Sequence, residues 1–277
     1  MSRISTDVAV IGGGVIGLAI ALRLRADGRE VVVIEPNEPG GGASYGNAGT
    51  IADYAVIPMG TPSILRNVVS LLLDANSPLS IRSSALPTLF PWLARFAYES
   101  LPHRYRRNAC RIAELVSGAS AAWTEFAAEI GASDLLSAKG CLYLYETQRA
   151  FEAARADIEL RRGFGVAQDL LSTDEVLRLE PRLPAFEGGG LFFRGAINLS
   201  DPGEVMRRLS AAVHGTGVEF IRASAQEIVR QPSGIRIIAA PFEIGARSTV
   251  IAAGAQSRRL AAQIGDPIRL DTERGYH

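Results

Sequence analysis

Three glycines, an acid and a serine carry the spacing that points most directly to chemistry. Gly12, Gly14 and Gly17 stand in the order G-x-G-x-x-G, with Val15 and Ile16 between the last two. In such a motif the first glycine permits a tight turn. The second lets the backbone approach a pyrophosphate with no Cβ in the way, and the third lets the following helix lie close to a sheet. Unpaired N–H groups and about half a positive charge at that helix's start would receive the phosphates. Glu35 follows about 20 residues on, where a carboxylate accepts both hydroxyls of an adenosine ribose and disfavours a 2′-phosphate. The chemistry implied is the binding of a dinucleotide other than NADP.

The elements that must position these residues are legible around them. Val8–Ile11 is a short apolar, β-branched run, as expected of a buried parallel strand. Leu18–Ala26 reads as a helix stopped by Asp27-Gly28. Residues 30–35 form a second strand that ends in the acid. Strand, glycine turn, helix and strand make one complete βαβ unit.

The next segment separates FAD from NAD. Residues 39–49 (PGGGASYGNAG) are rich in small side chains and begin soon after the acid. Ala43 and Ser44 would lie against a pyrophosphate, with Ser44 able to bond a phosphate. Asn47-Ala48-Gly49 would pass close under an isoalloxazine. An NAD-linked dehydrogenase, which would continue its winding here, is the disfavoured rival.

The run 42–49 resembles the corresponding stretch of the D-amino-acid oxidase superfamily, most of all the small subunit of bacterial D-amino-acid dehydrogenases. Residues 198–202 (NLSDP), followed by a helix, resemble the segment where that family's chain returns to its FAD domain. Thr249–Ser257, containing Ala252, Ala253 and Gly254, resembles the strand and turn that come back to the flavin. Arg274-Gly275-Tyr276 resembles the family's Arg-Gly strand. The resemblance implies an α/β fold: a Rossmann-like FAD-binding domain of the GR2 type with an inserted α+β substrate domain. It places the FAD domain at 1–60 and 191–264, and a helical region with part of the substrate domain at 61–190 and 265–277. It implies FAD as cofactor and hydride removal from the Cα of a D-amino acid to flavin N5. Glycine, sarcosine and D-hydroxyproline are alternative substrates, and the electron acceptor is left open. Arg274 and Tyr276 are the catalytic candidates. Family members run well past residue 277, so the resemblance implies C-terminal truncation and two incomplete domains. That makes the chain a fragment, a truncated product or a flavoprotein subunit whose fold a second chain completes.

Elsewhere the sequence predicts helices over Ser63–Leu73, Arg104–Ile130, Gln148–Arg162, a short one opened by Ser172, and one from Pro202 to about His214 capped by Asp201. Pro87 and Pro91 punctuate the approach to Trp92. Strands are expected at residues 140–145, 191–193, 196–197, 218–221, 226–230, 235–239 and 249–253. The peptide at Ala225-Gln226 is the candidate for holding an adenine edge. Tyr143 and Tyr145 share a strand face, as a packed stripe or a pocket wall. Arg104, Arg106, Arg107 and Arg111 read as a solvated helix face.

Composition narrows the classes further. The 29 basic and 29 acidic residues cancel, leaving no field to attract nucleic acid. Cys110, Cys141 and three scattered histidines have no metal-site spacing. The cysteines read as reduced thiols, with a covalent flavin link as the alternative. The apolar run 8–22 is broken by glycines and too short to span a bilayer. A soluble cytoplasmic protein is expected, or at most one attached peripherally at the inner membrane face.

Overall fold

The computed structural model describes residues 2–66, 83–270 and 272. In chain order the elements begin with β1 (Ser2–Ile11), α1 (Val15–Ala26), β2 (Val31–Ile34) and β3 (Thr50–Ile51). Three helices follow: α2 (Leu86–Glu99), α3 (Pro102–Val116) and α4 (Ala119–Glu129). Next come β4 (Leu136–Ser137), β5 (Cys141–Leu144), α5 (Gln148–Ala153), α6 (Arg155–Gly163), β6 (Asp169–Leu171) and α7 (Thr173–Leu179). The chain continues through β7 (Gly190–Phe193), β8 (Ile197–Leu199), α8 (Pro202–Gly215) and β9 (Glu219–Ile221). It closes with β10 (Glu227–Gln231), β11 (Gly234–Ala239), β12 (Phe242–Ile251) and α9 (Ser257–Gln263).

These elements form two compact units, one comprising residues up to Gly49, Thr124–Ser137 and the part from Leu199 onward, the other Thr50–Trp123 and Ala138–Asn198. The first unit is built on a six-stranded sheet in the order β10-β11-β12-β1-β2-β9. Strands β12, β1, β2 and β9 run parallel, and β10–β11–β12 form an antiparallel edge. Parallel strands covered on both faces need continuous apolar runs. The last four residues of β1 and all of β2 are buried accordingly. Helix α1 buries Leu18, Ala21 and Leu22 and packs against α8, which buries Val205, Met206, Leu209 and Val213. Asp201 caps α8 by accepting the Glu204 N–H at 2.9 Å, with Pro202 in the first turn. Arg23 pairs with Glu129 at 2.6 Å, and Arg208 pairs with Asp134. These ties hold residues 124–137 in the first unit, although the sequence grouped them with the helical region.

In the second unit β5, β7 and β6 pair antiparallel, and Thr50 and Ile51 pair with Asn198 and Ile197. Its core holds Tyr54, Ile158, Leu191, Phe193 and Ala196. Tyr54 stacks on Phe193 at 4.1 Å, and Tyr143 meets both rings edge-on. The tyrosine stripe is therefore packed. Burial, the larger cause, and an O–H bond toward Cys141 push the Tyr54 phenol well above its ordinary range.

Several boundaries differ from expectation. The helix expected over 104–130 breaks at Ser117-Gly118, where Gly118 takes φ +75°, and continues as α4. The helix expected over 148–162 is interrupted at Ala154, which caps both α5 and α6. Pro91 lies inside α2 rather than ahead of it. Strand β12 begins at Phe242 and stops at Ile251, longer and earlier than 249–253, because it pairs along its length with β1 and β11. Residues 62–66 are helical, and the remainder of the predicted 63–73 helix lies outside the described residues.

Candidate cofactor site

A cleft of about 650 Å³ opens at the carboxyl ends of the parallel strands of the first unit. That volume lies within the range of ligand sites, and the strand ends are where open α/β sheets bind ligands. Its walls are the glycine turn 11–16, Glu35–Asn37, Gly40–Ser44, Ser224-Ala225, Ala252–Ser257, Arg259 and Leu260.

The glycine turn has steric causes. Gly12 adopts φ +108°, a region L side chains rarely enter, and a Cβ there would strike the Ala252 carbonyl. A Cβ on Gly17 would collide with the Gly12 carbonyl oxygen, so α1 can pack this close only with glycine at that position. Gly17 itself is buried and shapes the cleft without lining it. Gly14 is the N-cap of α1 and carries no capping side chain of its own. Ser44 fills that role from another segment: its Oγ accepts the Val15 N–H at 3.0 Å. The hydroxyl proton remains available to donate to an anion.

Glu35 is held at both oxygens. Oε2 accepts the Gly13 N–H at 2.8 Å and Oε1 accepts the Asn37 N–H at 3.1 Å. Each oxygen keeps lone-pair capacity for a ribose hydroxyl. Gly13, the unspecified position of the motif, carries a constraint the sequence analysis passed over. A Cβ there would lie 2.9 Å from Glu35 Cγ. Arg259, on α9, was also missed; it donates to the Ala225 carbonyl at 3.1 Å. The triple glycine is a visible signal for Gly13, whereas only tertiary folding brings Arg259 to the wall.

The structure brings most of the expected cofactor residues together. Gly12, Gly14, Val15, Ile16, Glu35, Ala43, Ser44, Ala225, Ala252, Ala253 and Gly254 line the cleft. Asn47, Ala48, Gly49 and Gln226 are not among its lining residues. Asn47 closes its own loop instead, donating to the Ser44 carbonyl at 2.7 Å and accepting the Gly49 N–H at 2.7 Å. The Gln226 N–H donates to Ile238 and its carbonyl accepts from Gln263, so that peptide is taken up by the sheet and α9. Arg274 and Tyr276 lie outside the described residues. Neither cysteine lines the cleft, and both are free thiols. Of the arginine cluster, Arg104 and Arg107 each contact Glu99 at 3.2 Å. Among the described residues, no helix is long and apolar enough to cross a membrane. No group of three metal-ligating side chains occurs there either.

Comparison with known proteins agrees with this geometry. The family described as DAO, FAD dependent oxidoreductase, matches residues 7–277. The chain is 34% identical over 98% of its length to a D-amino-acid oxidase of Bradyrhizobium diazoefficiens, covering 65% of that protein. It is 30% identical over 96% of its length to D-amino acid dehydrogenase 2 of Ralstonia nicotianae, covering 63%. It thus spans a little under two thirds of these relatives. Among solved structures, glycine oxidase from Geobacillus kaustophilus superposes with a TM-score of 0.66 at 24% identity, over 95% of this chain and 59% of that one. The chain belongs to the DAO family of FAD-dependent oxidoreductases. FAD is accordingly the cofactor, and the cleft's glycine turn, the α1 start with its Ser44 hydroxyl and the Glu35 carboxylate fit its adenosine diphosphate part.

Proposed function

We propose that the protein takes part in the oxidative deamination of D-amino acids, with FAD held in the cleft of the first unit. The observation that carries this reading is the Glu35–Gly13 and Ser44–Val15 pairing, which fixes an acid and a hydroxyl on the backbone N–H groups at the α1 start. Glu35 binds the adenosine ribose. Ser44, Gly14, Val15 and Ile16 receive the pyrophosphate, and Gly12 and Gly17 keep the backbone close enough to do so. Ala43, Ala225 and residues 252–254 contact the remainder, and Asn47–Gly49 and Gln226 support their segments from outside the wall. When bound, FAD supplies the acceptor for the hydride leaving the substrate Cα. The chain's task is to fix the cofactor and present the amine to it, which demands orientation more than acid–base groups. Arg274 and Tyr276 remain the candidates for contacting substrate.

Sequence identity to a protein named D-amino-acid oxidase, along nearly the whole of this chain, supports the D-amino acid as substrate. The likeness to glycine oxidase supports the fold alone, since its identity is lower. The test is anaerobic mixing of the flavin-loaded protein with D- and L-alanine, glycine and sarcosine. Loss of flavin absorbance with D-alanine, and not with its enantiomer, is expected. Reduction by glycine or sarcosine alone would move the substrate assignment to those amines.

A further inference from the structure

The second unit holds a smaller cavity of about 300 Å³, walled by Asp53, Tyr54, Val56, Ala113, Ser117, Gly118, residues 164–167, Phe193 and 195–196. Among the described residues of the wall, Asp53 is the single charged one. Its Oδ2 accepts the Ser120 hydroxyl at 2.6 Å, which fixes the carboxylate and leaves Oδ1 for a further donor.

Two helices end at the same cavity. Ser117 is the C-cap of α3 and Phe164 is the C-cap of α6. Each helix C-terminus carries about half a negative charge. Helix α3 has no basic residue in its last turn to offset it. Helix α6 has two, but neither is in the wall. Arg162 turns to Glu159 at 2.5 Å, and Arg161 lies over the Tyr143 and Phe193 rings at 5.9 and 5.7 Å. Val56, Phe164, Val166 and Phe193 add apolar and aromatic groups to a wall that also carries the polar Tyr54 and Ser117.

We infer that this cavity is a binding site for a small organic ammonium ion, whose charge meets Asp53 and the two helix ends and whose carbon skeleton meets the aromatic wall. A divalent metal does not suit it, because one carboxylate falls short of the six to eight oxygens such ions collect. An anion is disfavoured, because Asp53 is the one charged side chain among the described wall residues and Arg161 lies over the Phe193 ring rather than in the wall. The volume sits at the lower end of the range for ligand sites and suits a short-chain amine. The inference does not rest on the D-amino-acid reading, because it requires neither flavin nor turnover.

The test is ligand-observed saturation-transfer NMR on the full chain with propylammonium chloride, against 1-propanol and sodium propionate. Saturable binding of propylammonium alone is expected. Asp53→Asn preserves the shape and the Ser120 bond, and is expected to weaken binding by about tenfold or more, since a charge-assisted hydrogen bond is lost. Ser117→Lys, at an exposed position, places a competing ammonium at the mouth and is expected to weaken binding similarly. It decides the matter should Asp53→Asn alter the far-UV circular dichroism. No saturable binding of propylammonium, equal binding of propanol, or unchanged affinity in both variants would overturn the inference.

Discussion

Strand β2 and the end of β1 in the first unit are buried more deeply than β5 and β6 in the second. In the first unit β2 and the end of β1 are covered on both sides by helices and loops. In the second, β5 and β6 are only half covered, and α2 buries no residue at all. A strand buried on both faces admits only apolar, mostly β-branched residues, so its identity is written in the local sequence. A half-covered strand or an open helix tolerates many residues, and its limits are set by neighbours distant in the chain. Tolerance to change differs position by position: Gly17 in the first unit is closed against the Gly12 carbonyl, whereas Gly195 in the second meets nothing within 4 Å.

The largest effect is expected from Gly17→Ala. Its Cβ must displace the Gly12 carbonyl, and overpacking of this kind costs about 1–3 kcal/mol. Because the displaced atom belongs to the glycine turn, bound flavin should be lost as well. Gly195→Ala is the counterpart in the second unit, where a new Cβ meets nothing within 4 Å. It should shift stability by less than about 0.5 kcal/mol, as surface changes do. Thermal denaturation of the pair, with flavin retention measured alongside, would break the comparison if the two behaved alike.

Glu35→Ala comes next. It frees the Gly13 and Asn37 N–H groups and removes the carboxylate proposed to hold the adenosine ribose. FAD affinity should fall by roughly 10–100-fold, measured by fluorescence titration. Ser44→Ala leaves the Val15 N–H without its partner and should cost about 1 kcal/mol, as other lost N-caps do. It sharpens the comparison because Ser172→Ala, at the capping box of α7, removes an equivalent cap from the second unit. Equal stability losses are expected from the two serines, with only Ser44→Ala weakening FAD.

How much of this was legible follows from the same contrast. The motif glycines, Glu35 and Ser44 are local signals, and all but the packing glycine Gly17 stand at the cleft. Gly13 was passed over although the triple glycine displays it, and Arg259 was missed because its partner, Ala225, is distant in sequence. Asn47 was read as a flavin contact from its small neighbours, yet its amide is committed to closing its own loop. In the second unit the strand at 141–144 was legible from its alternation of leucine and tyrosine, and the one at 190–193 from the apolar run 191–193. The break after α3 was not, because the apolar spacing runs on through Gly118 and only the turn itself redirects the chain.

The smallest effect is expected at the surface ties of α8. Hydrogen bonds from Arg207 and Arg208 lower the Glu204 carboxyl from 4.5 to about 2, and a hydrogen bond from Arg208 lowers Asp134. A carboxylate whose folded pKa is depressed adds stability above its unfolded pKa and loses it as pH falls through the folded value. Stability should therefore decline as pH drops below about 4.5 toward 2, and Arg208→Met should flatten part of that decline. Denaturant midpoints measured across this window check the sign.

The central claim is that the glycine turn, Glu35 and Ser44 form an FAD site in this chain. Its most direct test is the visible absorption spectrum of the purified protein, before and after incubation with FAD and gel filtration. A flavin spectrum near one equivalent per chain, lost in Gly17→Ala, is the result predicted here. A folded, colourless protein that takes up no FAD would contradict it.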